Sequence, residues 1–530
     1  MAITAMDTKN NFSFLTCLLC LTPFFCNSGE WRFEPGLNIN EQYSDNIELT
    51  PSDKVTSLIS QTSLLLDTSY NGKNSVINLN SASTYAWYSH DHSLDKDYHT
   101  LSADSKIMLW PNGIALLSNI NIRNQSRNEA RNNNNDITYG DTTQTRNYQL
   151  GFEYQINNRN HRTSSSFIYS AYSSEDNIGE QDGTAFQLSS NNGVAVNHLF
   201  WDTSAIYRTR ENNNSESKQH RFDAKVGLIT DYKFTPFIRY YEEDNSGNIS
   251  NNGFETKSYG LGFRWQVKPR LFIDLSYNEP IETDSTSSNS QNEAYLDLLV
   301  NWQPTSRTKL LLSHSERFYG NSYGLNISHR NRRLTNTINY NEQIQSFTRD
   351  NYQVVSSTFI CQNPDAIDLS DCFIQNGDVF NPEDISLITI NSLELVEDND
   401  YWLNKRFQWS SMLTLPRTSF SFNLNHADRK NLNSGSSNTT KSASINASRK
   451  LSPGSTFGLQ ASYDERSYDQ SLINRDGQTD KYRRYGINFK RSLNQALDFT
   501  LDLDRINRTS NQERYNYSEN RLSLRLTKDF

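Results

Sequence analysis

The sequence predicts an all-β fold, a closed antiparallel transmembrane β-barrel of roughly 24 strands (22 to 26). Apolar and polar residues alternate along most of the chain, as in strands whose two faces meet different surroundings. The composition is polar, with 35% hydrophobic residues, yet 12% of the residues are aromatic. A polar disordered chain would contain few aromatic residues. A barrel explains both values, because its lumen and loops are polar while aromatic side chains collect at the two membrane interfaces.

Alternation with a period of two is clearest in four segments. A helix would repeat its apolar positions every 3.6 residues, which these segments do not. The apolar positions are Tyr148, Leu150, Phe152, Tyr154 and Ile156; Tyr259, Leu261, Phe263, Trp265 and Val267; Leu296, Leu298, Val300 and Trp302; and Leu497, Phe499, Leu501 and Leu503. We therefore expect strands with one apolar face turned to lipid and one polar face turned to a lumen.

The connections between these strands alternate between tight turns and long polar segments. Asn71-Gly72 and Ser452-Pro453-Gly454 are examples of tight turns. Residues 124–146 and 427–441 are long and rich in Asn, Ser and Asp. Short turns on one side and long loops on the other are expected of an outer-membrane barrel. A soluble β-solenoid is the alternative, but it predicts a fixed repeat that the sequence does not contain.

The N-terminus has the pattern of a secretory signal peptide, residues 1–28. Lys9 precedes an apolar run from Phe12 to Phe25, and Ser28 lies just before the expected cleavage site. The mature chain, residues 29–530, contains no linker-like boundary and is predicted to be one domain. It also lacks an apolar stretch near the roughly 20 residues that a membrane helix needs, so a closed barrel is the expected membrane-spanning structure.

The C-terminal segment RLSLRLTKDF resembles the closing strand of bacterial outer-membrane β-barrels. Leu522, Leu524 and Leu526 alternate, and the chain ends on Phe530, although Lys528 stands where those proteins usually have an apolar residue. The resemblance implies that Phe530 is part of the signal read by the barrel-assembly machinery. It also implies that the protein lies in the outer membrane of a Gram-negative bacterium, in contact with outer-membrane lipid.

The mature N-terminus resembles a second, more specific group. Residues 31–37 (WRFEPGL) are followed by Glu41, Tyr43, Ser44 and Asp45. This pattern is similar to the opening of the outer-membrane barrel proteins associated with PEP-CTERM/exosortase systems. Such proteins are encoded near genes of exopolysaccharide biosynthesis and export, so the resemblance implies exopolysaccharide or its export proteins as partners.

Residues 343–400 form the longest interruption of the alternating pattern. The segment contains Cys361 and Cys372, the two cysteines of the mature chain, and we expect a disulfide between them in an oxidising compartment. One interpretation is an outer loop held by that disulfide. The other is a constriction or plug that folds into the lumen, since 22-stranded transporters are plugged.

Charged residues on the polar faces of the last three strands are candidate lumen residues. If the apolar faces meet lipid, opposite charges on neighbouring strands face the lumen and form cross-strand pairs. These residues are Asp498, Asp502, Asp504, Arg484, Lys490, Arg521 and Arg525. Stabilisation of the wall is one interpretation, and a transport path is the other.

Motifs for catalysis or metal binding are weak. In Ser313-His314-Ser315, adjacent residues of a strand point to opposite faces, which disfavours a catalytic pair. His90, His92 and His99 surround a loop and are most simply solvated. We therefore predict no enzyme activity and no cofactor or metal. The net charge of −9 gives no support for nucleic-acid binding.

The sequence thus predicts an outer-membrane pore or export conduit, and the resemblance to PEP-CTERM-associated barrels implies exopolysaccharide as its cargo. An energised receptor with an N-terminal plug is disfavoured, because the first strand starts within a few residues of the cleavage site. The alternative is a structural or adhesive barrel whose polar loops bind surface carbohydrate.

Overall fold

A computed structural model describes residues 29–530 except 111–112, 128–136, 141, 213–214, 248–253, 282–292, 347, 362–371, 375–385, 399 and 469–476. Between residues 348 and 398, it describes the backbone of three strands without their side chains. The predicted signal peptide, residues 1–28, lies outside the described residues. Among the helices of the described part, none is long and apolar enough to cross a membrane.

The fold is all-β, and 24 strands form one antiparallel barrel, as predicted. Each barrel strand pairs with its neighbours in chain order, and β17 pairs with β21. The strands are β1 (Glu30–Ser44), β2 (Ser57–Asn71), β3 (Ser75–Tyr88), β4 (Lys96–Trp110), β5 (Ile114–Ser126), β6 (Thr142–Asn157), β7 (His161–Ser174), β8 (Gln181–Asn192), β9 (Leu199–Asn212), β10 (Ser215–Leu228), β11 (Phe234–Ser246), β12 (Phe254–Lys268), β13 (Leu271–Pro280), β14 (Tyr295–Thr305), β15 (Thr308–Arg317), β16 (Gly320–Arg330), β17 (Leu334–Gln345), β18 (Thr348–Cys361), β19 (Cys372–Ile374), β20 (Ser386–Asp398), β21 (Trp402–Thr414), β22 (Thr418–Asn431), β23 (Ser437–Ser452), β24 (Ser455–Tyr468), β25 (Thr479–Ser492), β26 (Leu497–Ser510) and β27 (Tyr517–Asp529).

The barrel is closed by pairing between the first and the last strand. The register runs from Gly36 opposite Asp529 to Ser44 opposite Arg521. The backbone N–H of Phe530 donates to the carbonyl of Pro35 at 2.9 Å, so the chain end is held in the seam. Closure leaves no wall strand with an unpaired edge.

The start of β1 and the end of β27 lie at the same end of the barrel, which we term the terminal end. The connections at this end are short, such as residues 269–270 between β12 and β13. The opposite end, which we term the outer end, carries the long connections, such as residues 127–141 between β5 and β6. Short 3-10 turns, including Ile137–Tyr139, occur in the connections of the outer end.

The insertion at the outer end between β17 and β21 forms a separate three-stranded sheet from β18, β19 and β20. The wall strand β17 continues to Gln345, inside the segment predicted as loop, because Gln343, Ile344 and Gln345 pair with the first residues of β21. In the separate sheet, Cys361 of β18 lies directly opposite Cys372 of β19.

The outer face of the barrel exposes large apolar side chains. Leu64, Ile238 and Leu261 are 66%, 61% and 72% exposed, respectively. Trp31, Phe33, Trp265 and other large rings lie near the terminal end of this face, whereas tyrosines such as Tyr259 and Tyr485 lie nearer the outer end. Lys528 shares this face, with its ammonium 4.7 Å from the centre of the Phe530 ring. An apolar band edged by aromatic rings matches the hydrocarbon layer and its two interfaces.

We expect Leu261→Arg to impair insertion into lipid, because an arginine near the middle of a lipid-facing band costs about 2–4 kcal/mol. The measurement is the unfolding free energy in phospholipid vesicles, followed by heat-dependent mobility on gels. Ser444→Arg is the matched control, since Ser444 lies on the opposite face of its strand from the exposed Ile445. Equal stability of the two variants would contradict the assignment of the outer face.

Candidate functional site: the barrel lumen

The inner face of the wall follows from the same alternation. In β11, for example, Ile238 and Tyr240 point outward, so Arg239, Tyr241 and Glu243 point into the lumen. Several inward side chains between β10 and β15 are almost completely buried, as Arg239 and Glu243 are. Burial on the inner face means that other inward side chains fill this part of the lumen. We term the region lined by β9 to β15 the filled sector.

A network of opposite charges lies at the middle height of the filled sector. Arg239 of β11 contacts Asp297 of β14 at 2.7 Å, across two intervening strands, and Asp223 of β10 at 2.8 Å. Lys225 of β10 lies 3.4 Å from Asp297 and 3.6 Å from Asp274 of β13. Side chains of strands several positions apart meet here, so the wall is strongly curved around them.

Arg264 of β12 contacts both the charge network and a group of aromatic rings. It forms two hydrogen bonds, of 2.6 and 2.7 Å, with the carboxylate of Asp274. Its guanidinium also lies 4.5 Å from the centre of the Phe200 ring and 4.6 Å from that of Phe272. Phe200 packs on Phe237 with ring centroids 6.0 Å apart. The rings limit water around the ion pairs and accept cation–π contacts.

The filled sector continues to the outer end. Arg317 of β15 donates to both carboxylate oxygens of Glu243, with one distance of 2.8 Å, and Tyr241 donates to the same carboxylate at 2.7 Å. Above this pair, the Tyr401 hydroxyl is 3.1 Å from the Ser217 hydroxyl. Tyr401 immediately precedes β21, whereas Ser217 belongs to β10, so this contact crosses the mouth of the filled sector.

Tyr401 packs in an apolar cluster at the outer end with Phe318, Ile344 and Leu403. Burial raises the pKa of the Tyr401 phenol to about 12. The protonated hydroxyl accepts the hydrogen bond from Ser217 of β10 and donates to the backbone carbonyl of Ser246, the last residue of β11. This arrangement fixes the outer ends of β10 and β21 relative to each other.

We expect Asp274→Asn to destabilise the barrel by about 3–5 kcal/mol, because it removes the carboxylate that pairs with Arg264 in a buried ion pair and leaves Lys225 with Asp297 alone. Unfolding by guanidinium in detergent micelles measures the change. Asp498→Asn is the control: its carboxylate is 29% exposed and pairs with Lys490 on a solvated part of the wall. Such exposed pairs contribute about 0–1 kcal/mol. Similar losses in the two variants would show that the filled sector is not a buried network.

A second cluster covers the inner wall at the outer end near the seam. The turn Ile137–Tyr139 reaches across several strands, so that Thr138 accepts a hydrogen bond from Gln42 of β1 at 3.0 Å. The Tyr139 hydroxyl donates to Glu519 of β27 at 2.6 Å. Glu519 also binds Ser44 at 2.7 Å. The mouth is thus narrowed from two sides, by this cluster and by the cluster around Tyr401.

The wall formed by β22, β23 and β24 differs from the filled sector. Below the outer end, the inward side chains of these strands are half-buried or exposed, so they face an accessible lumen. Almost all are uncharged hydroxyl or amide groups over much of the height. They include Ser421, Asn423, Asn425, Ser442, Ser444, Asn446, Ser448, Gln460 and Ser462. We term this surface the neutral wall.

The residues predicted as lumen charges follow the neutral wall on β25, β26 and β27. Arg484 forms two hydrogen bonds of 3.0 Å with Asp504, and Lys490 lies 2.6 Å from Asp498. Asp502 accepts a hydrogen bond from Asn488 at 2.5 Å. Arg521 contacts Glu519 at 3.3 Å and belongs to the cluster near the seam. Arg525 lies opposite Thr500 and is exposed.

We expect the triple variant Asp498→Asn, Asp502→Asn and Asp504→Asn to shift ion selectivity towards anions, because Arg484 and Lys490 lose their partners. Reversal potentials in planar bilayers under a salt gradient measure the shift. Asp428→Asn is the control, since Asp428 lies on the same face as the apolar Leu424 and pairs with His426 on that face. Unchanged selectivity in the triple variant would show that these three carboxylates do not line the transport path.

The motifs that the sequence analysis considered for catalysis or metal binding lie at separate positions in the barrel. His314 shares the outer face with Leu312 and stacks on Tyr323 with ring centroids 5.0 Å apart, so Ser313 and Ser315 point to the other face. His90 binds Ser57, and His99 binds Ser83 and Asp97. Among the described residues, no group of three His, Cys, Asp or Glu side chains could hold a metal ion.

The charge network of the filled sector was missed by the sequence analysis, although a signal was present. Lys225, Arg239 and Arg264 each stand between two apolar residues of a strand. When both neighbours of a charged residue in an alternating strand are apolar and face lipid, the charged side chain must point into the lumen. Which carboxylate each cation meets depends on the curvature of the wall.

Comparisons with known proteins give structural neighbours alone. No protein-family model and no curated protein sequence matches the chain. A ferric enterobactin receptor (PfeA) mutant from Pseudomonas aeruginosa aligns with a TM-score of 0.42 and 10% identity, over 94% of this chain and 80% of that one. The FrpB iron transporter from Neisseria meningitidis gives 0.42 and 9%, over 94% and 82%. A loop-deletion mutant of OmpT, an outer-membrane protein of Vibrio cholerae, gives 0.35 and 7%, over 95% and 100%.

These low scores and identities assign no function to this chain. Its location follows from its own surface. A closed, even-numbered antiparallel barrel with an outer apolar band, aromatic edges and a polar lumen is the architecture of outer-membrane proteins. The protein is an outer-membrane β-barrel of a Gram-negative bacterium.

Proposed function

We propose that this protein is a pore of the outer membrane that passes uncharged hydrophilic solutes along its neutral wall. The supporting observation is the contrast between the two parts of the lumen. The filled sector is occupied by ion pairs and rings, whereas the inward hydroxyl and amide groups of β22 to β24 face accessible space. The proposal includes no catalytic step.

The chemistry of the neutral wall favours carbohydrate as the cargo. Asn446 donates to the Ser421 hydroxyl at 3.2 Å, and Asn423 lies 3.5 Å from the Ser444 hydroxyl. These groups bind one another weakly and can exchange such bonds for bonds to sugar hydroxyls. A more specific version of this proposal is that the cargo is an exported exopolysaccharide. The resemblance of the mature N-terminus to PEP-CTERM-associated barrels implies such a cargo.

The insertion β18–β20 is proposed as a regulator of the pore. Its ends join the neighbouring strands β17 and β21, immediately beside Tyr401 and the cluster that crosses the mouth. We also propose that Cys361 and Cys372 form a disulfide in this sheet. Directly opposed residues of an antiparallel pair have Cα atoms about 4.5–5.5 Å apart, within the range that a disulfide spans.

A structural or adhesive barrel is the second candidate. The two clusters at the outer end narrow the mouth of the lumen. If the mouth is completely closed, the polar loops would be the surface that binds other molecules. Conductance separates the two candidates, because an adhesive barrel can be sealed.

We expect the refolded mature protein to conduct in a planar bilayer, and more strongly when residues 348–398 are replaced by a short Gly-Ser linker. This replacement keeps β17, β21 and Tyr401, whose contacts hold the wall. A neutral oligosaccharide added on one side should cause transient blocks of the current, and Ser444→Asp with Asn446→Asp should shorten them. Replacement of residues 128–136, in a different outer connection, by a Gly-Ser linker is the control.

Absence of conductance in every form would contradict the pore and favour the adhesive barrel. Conductance without any block by neutral oligosaccharides would keep the pore and reject carbohydrate as cargo. Equal conductance of the intact and shortened proteins would reject regulation by the insertion.

A further inference from the structure

The outer face of β24 to β27 and β1 carries an apolar groove below a group of cations. The groove has a volume of about 620 Å³. Its apolar side chains form a continuous row across the strands, because Leu459 lies opposite Ile487, Ile487 opposite Leu503, Leu503 opposite Leu522, and Leu522 opposite Tyr43. Ile487, Leu503 and Tyr43 are 43%, 42% and 43% exposed. We term this surface the lipid groove.

Cations occupy the next three cross-strand rows towards the outer end. Arg505 and Asn520 form the edge of the groove, with Arg505 directly opposite Tyr485. Arg483 lies one row further, opposite Tyr463, and Lys441 and Lys481 lie in the row beyond it. Consecutive rows on one face are about 7 Å apart along a strand. The cations therefore stand just above the apolar band, at the depth of lipid headgroups.

These cations are incompletely neutralised by the protein. Two carboxylates lie on the outer face of the same rows, against four cations. Asp45 accepts hydrogen bonds from the backbone N–H and the side-chain amide of Asn520. Glu465 lies 3.4 Å from Lys441 and 3.9 Å from Lys481. It also accepts a hydrogen bond of 2.6 Å from the Tyr463 hydroxyl. Arg483 and Arg505 are exposed, and among the described residues neither forms an ion pair. The group therefore has an excess of positive charge on a lipid-facing surface.

A different sector of the same rim has the opposite balance. Lys257 of β12 is flanked by Glu242 and Glu255, at 3.5 and 2.5 Å. Glu279 also lies at this rim and binds Tyr259 at 3.1 Å. The excess of cations thus coincides with the groove and is not a general feature of the rim.

We propose that the lipid groove and the cations above it bind lipopolysaccharide of the outer leaflet, with an acyl chain of lipid A in the groove and its phosphates on Arg505 and Arg483. A basic group beside an apolar surface at headgroup depth recognises an anionic, acylated lipid. The outer end, which carries the long loops, faces the leaflet that contains lipopolysaccharide. The inference rests on the location in the outer membrane and is independent of transport.

The test measures binding of purified lipid A to the refolded mature protein in detergent by native mass spectrometry. We compare bisphosphorylated lipid A with its fully dephosphorylated form and with phosphatidylglycerol. The variants are Arg483→Gln with Arg505→Gln, which removes the cations, and Leu459→Trp, which fills the groove. Lys257→Gln is the matched control, because it removes a rim cation outside the groove.

We expect the double arginine variant to bind bisphosphorylated lipid A roughly 30-fold more weakly than the unchanged protein. Leu459→Trp should also weaken binding, whereas Lys257→Gln should bind as the unchanged protein does. The unchanged protein should prefer the bisphosphorylated lipid to the dephosphorylated one, a comparison that remains valid if a variant fails to fold. Gel mobility before and after heating shows that each variant is folded.

Equal binding of phosphorylated and dephosphorylated lipid A would overturn the proposal, as would equal affinity for phosphatidylglycerol. An equal loss in Lys257→Gln would show a nonspecific effect of rim charge and also reject the site. Conductance is measured separately in bilayers without lipopolysaccharide. A protein that binds lipid A but does not conduct would therefore disprove the pore and keep the lipid site.

Discussion

Closure of the backbone hydrogen-bond ladder is the constraint on which the rest of this structure depends. In hydrocarbon, each unsatisfied N–H or C=O costs several kcal/mol, so no strand of the wall can end as a free edge. The pairing of β1 with β27 meets this requirement. It also fixes which residues face inward, because a slip of one residue would exchange the two faces of a strand. The apolar band, the lumen and the lipid groove all follow from this register.

The two parts of the lumen illustrate two ways of satisfying polar groups inside a barrel. In the filled sector, water is displaced, and each buried charge needs a partner such as the one Asp274 finds in Arg264. At the neutral wall, hydroxyl and amide groups remain accessible and need no fixed partner. This accessibility supports the proposed passage of solutes that carry hydroxyl groups.

The two ends of the barrel also differ from each other. The terminal end has short turns and the seam that holds Phe530, whereas the outer end has the long connections, whose described parts include Tyr139 and Tyr401. Contacts of Tyr401 and Tyr139 fix these connections to distant strands. In the proposed pore, these contacts place the narrowest part of the mouth at the outer end, beside the insertion β18–β20.

The local sequence pattern is sufficient to define the strands and their two faces. The alternation at Leu497, Phe499 and Leu501 sets which side chains meet lipid, since side-chain direction in a strand depends on local parity alone. It also placed Arg484 and Asp504 on the inner face, where the neighbouring strands bring them together. The number of strands was predicted within a narrow range, because the turn residues mark each hairpin.

Contacts between distant strands depend on the tertiary structure, because the alternation of side chains along one strand does not specify them. Arg239 meets Asp297 across two intervening strands because the wall bends there, and its curvature depends on all the strands together. The same holds for Tyr401 and Ser217 at the mouth. The lipid groove likewise exists because the registers of β24 to β27 and β1 align Leu459, Ile487 and Leu503 in one row, and cross-strand register is a property of the closed barrel.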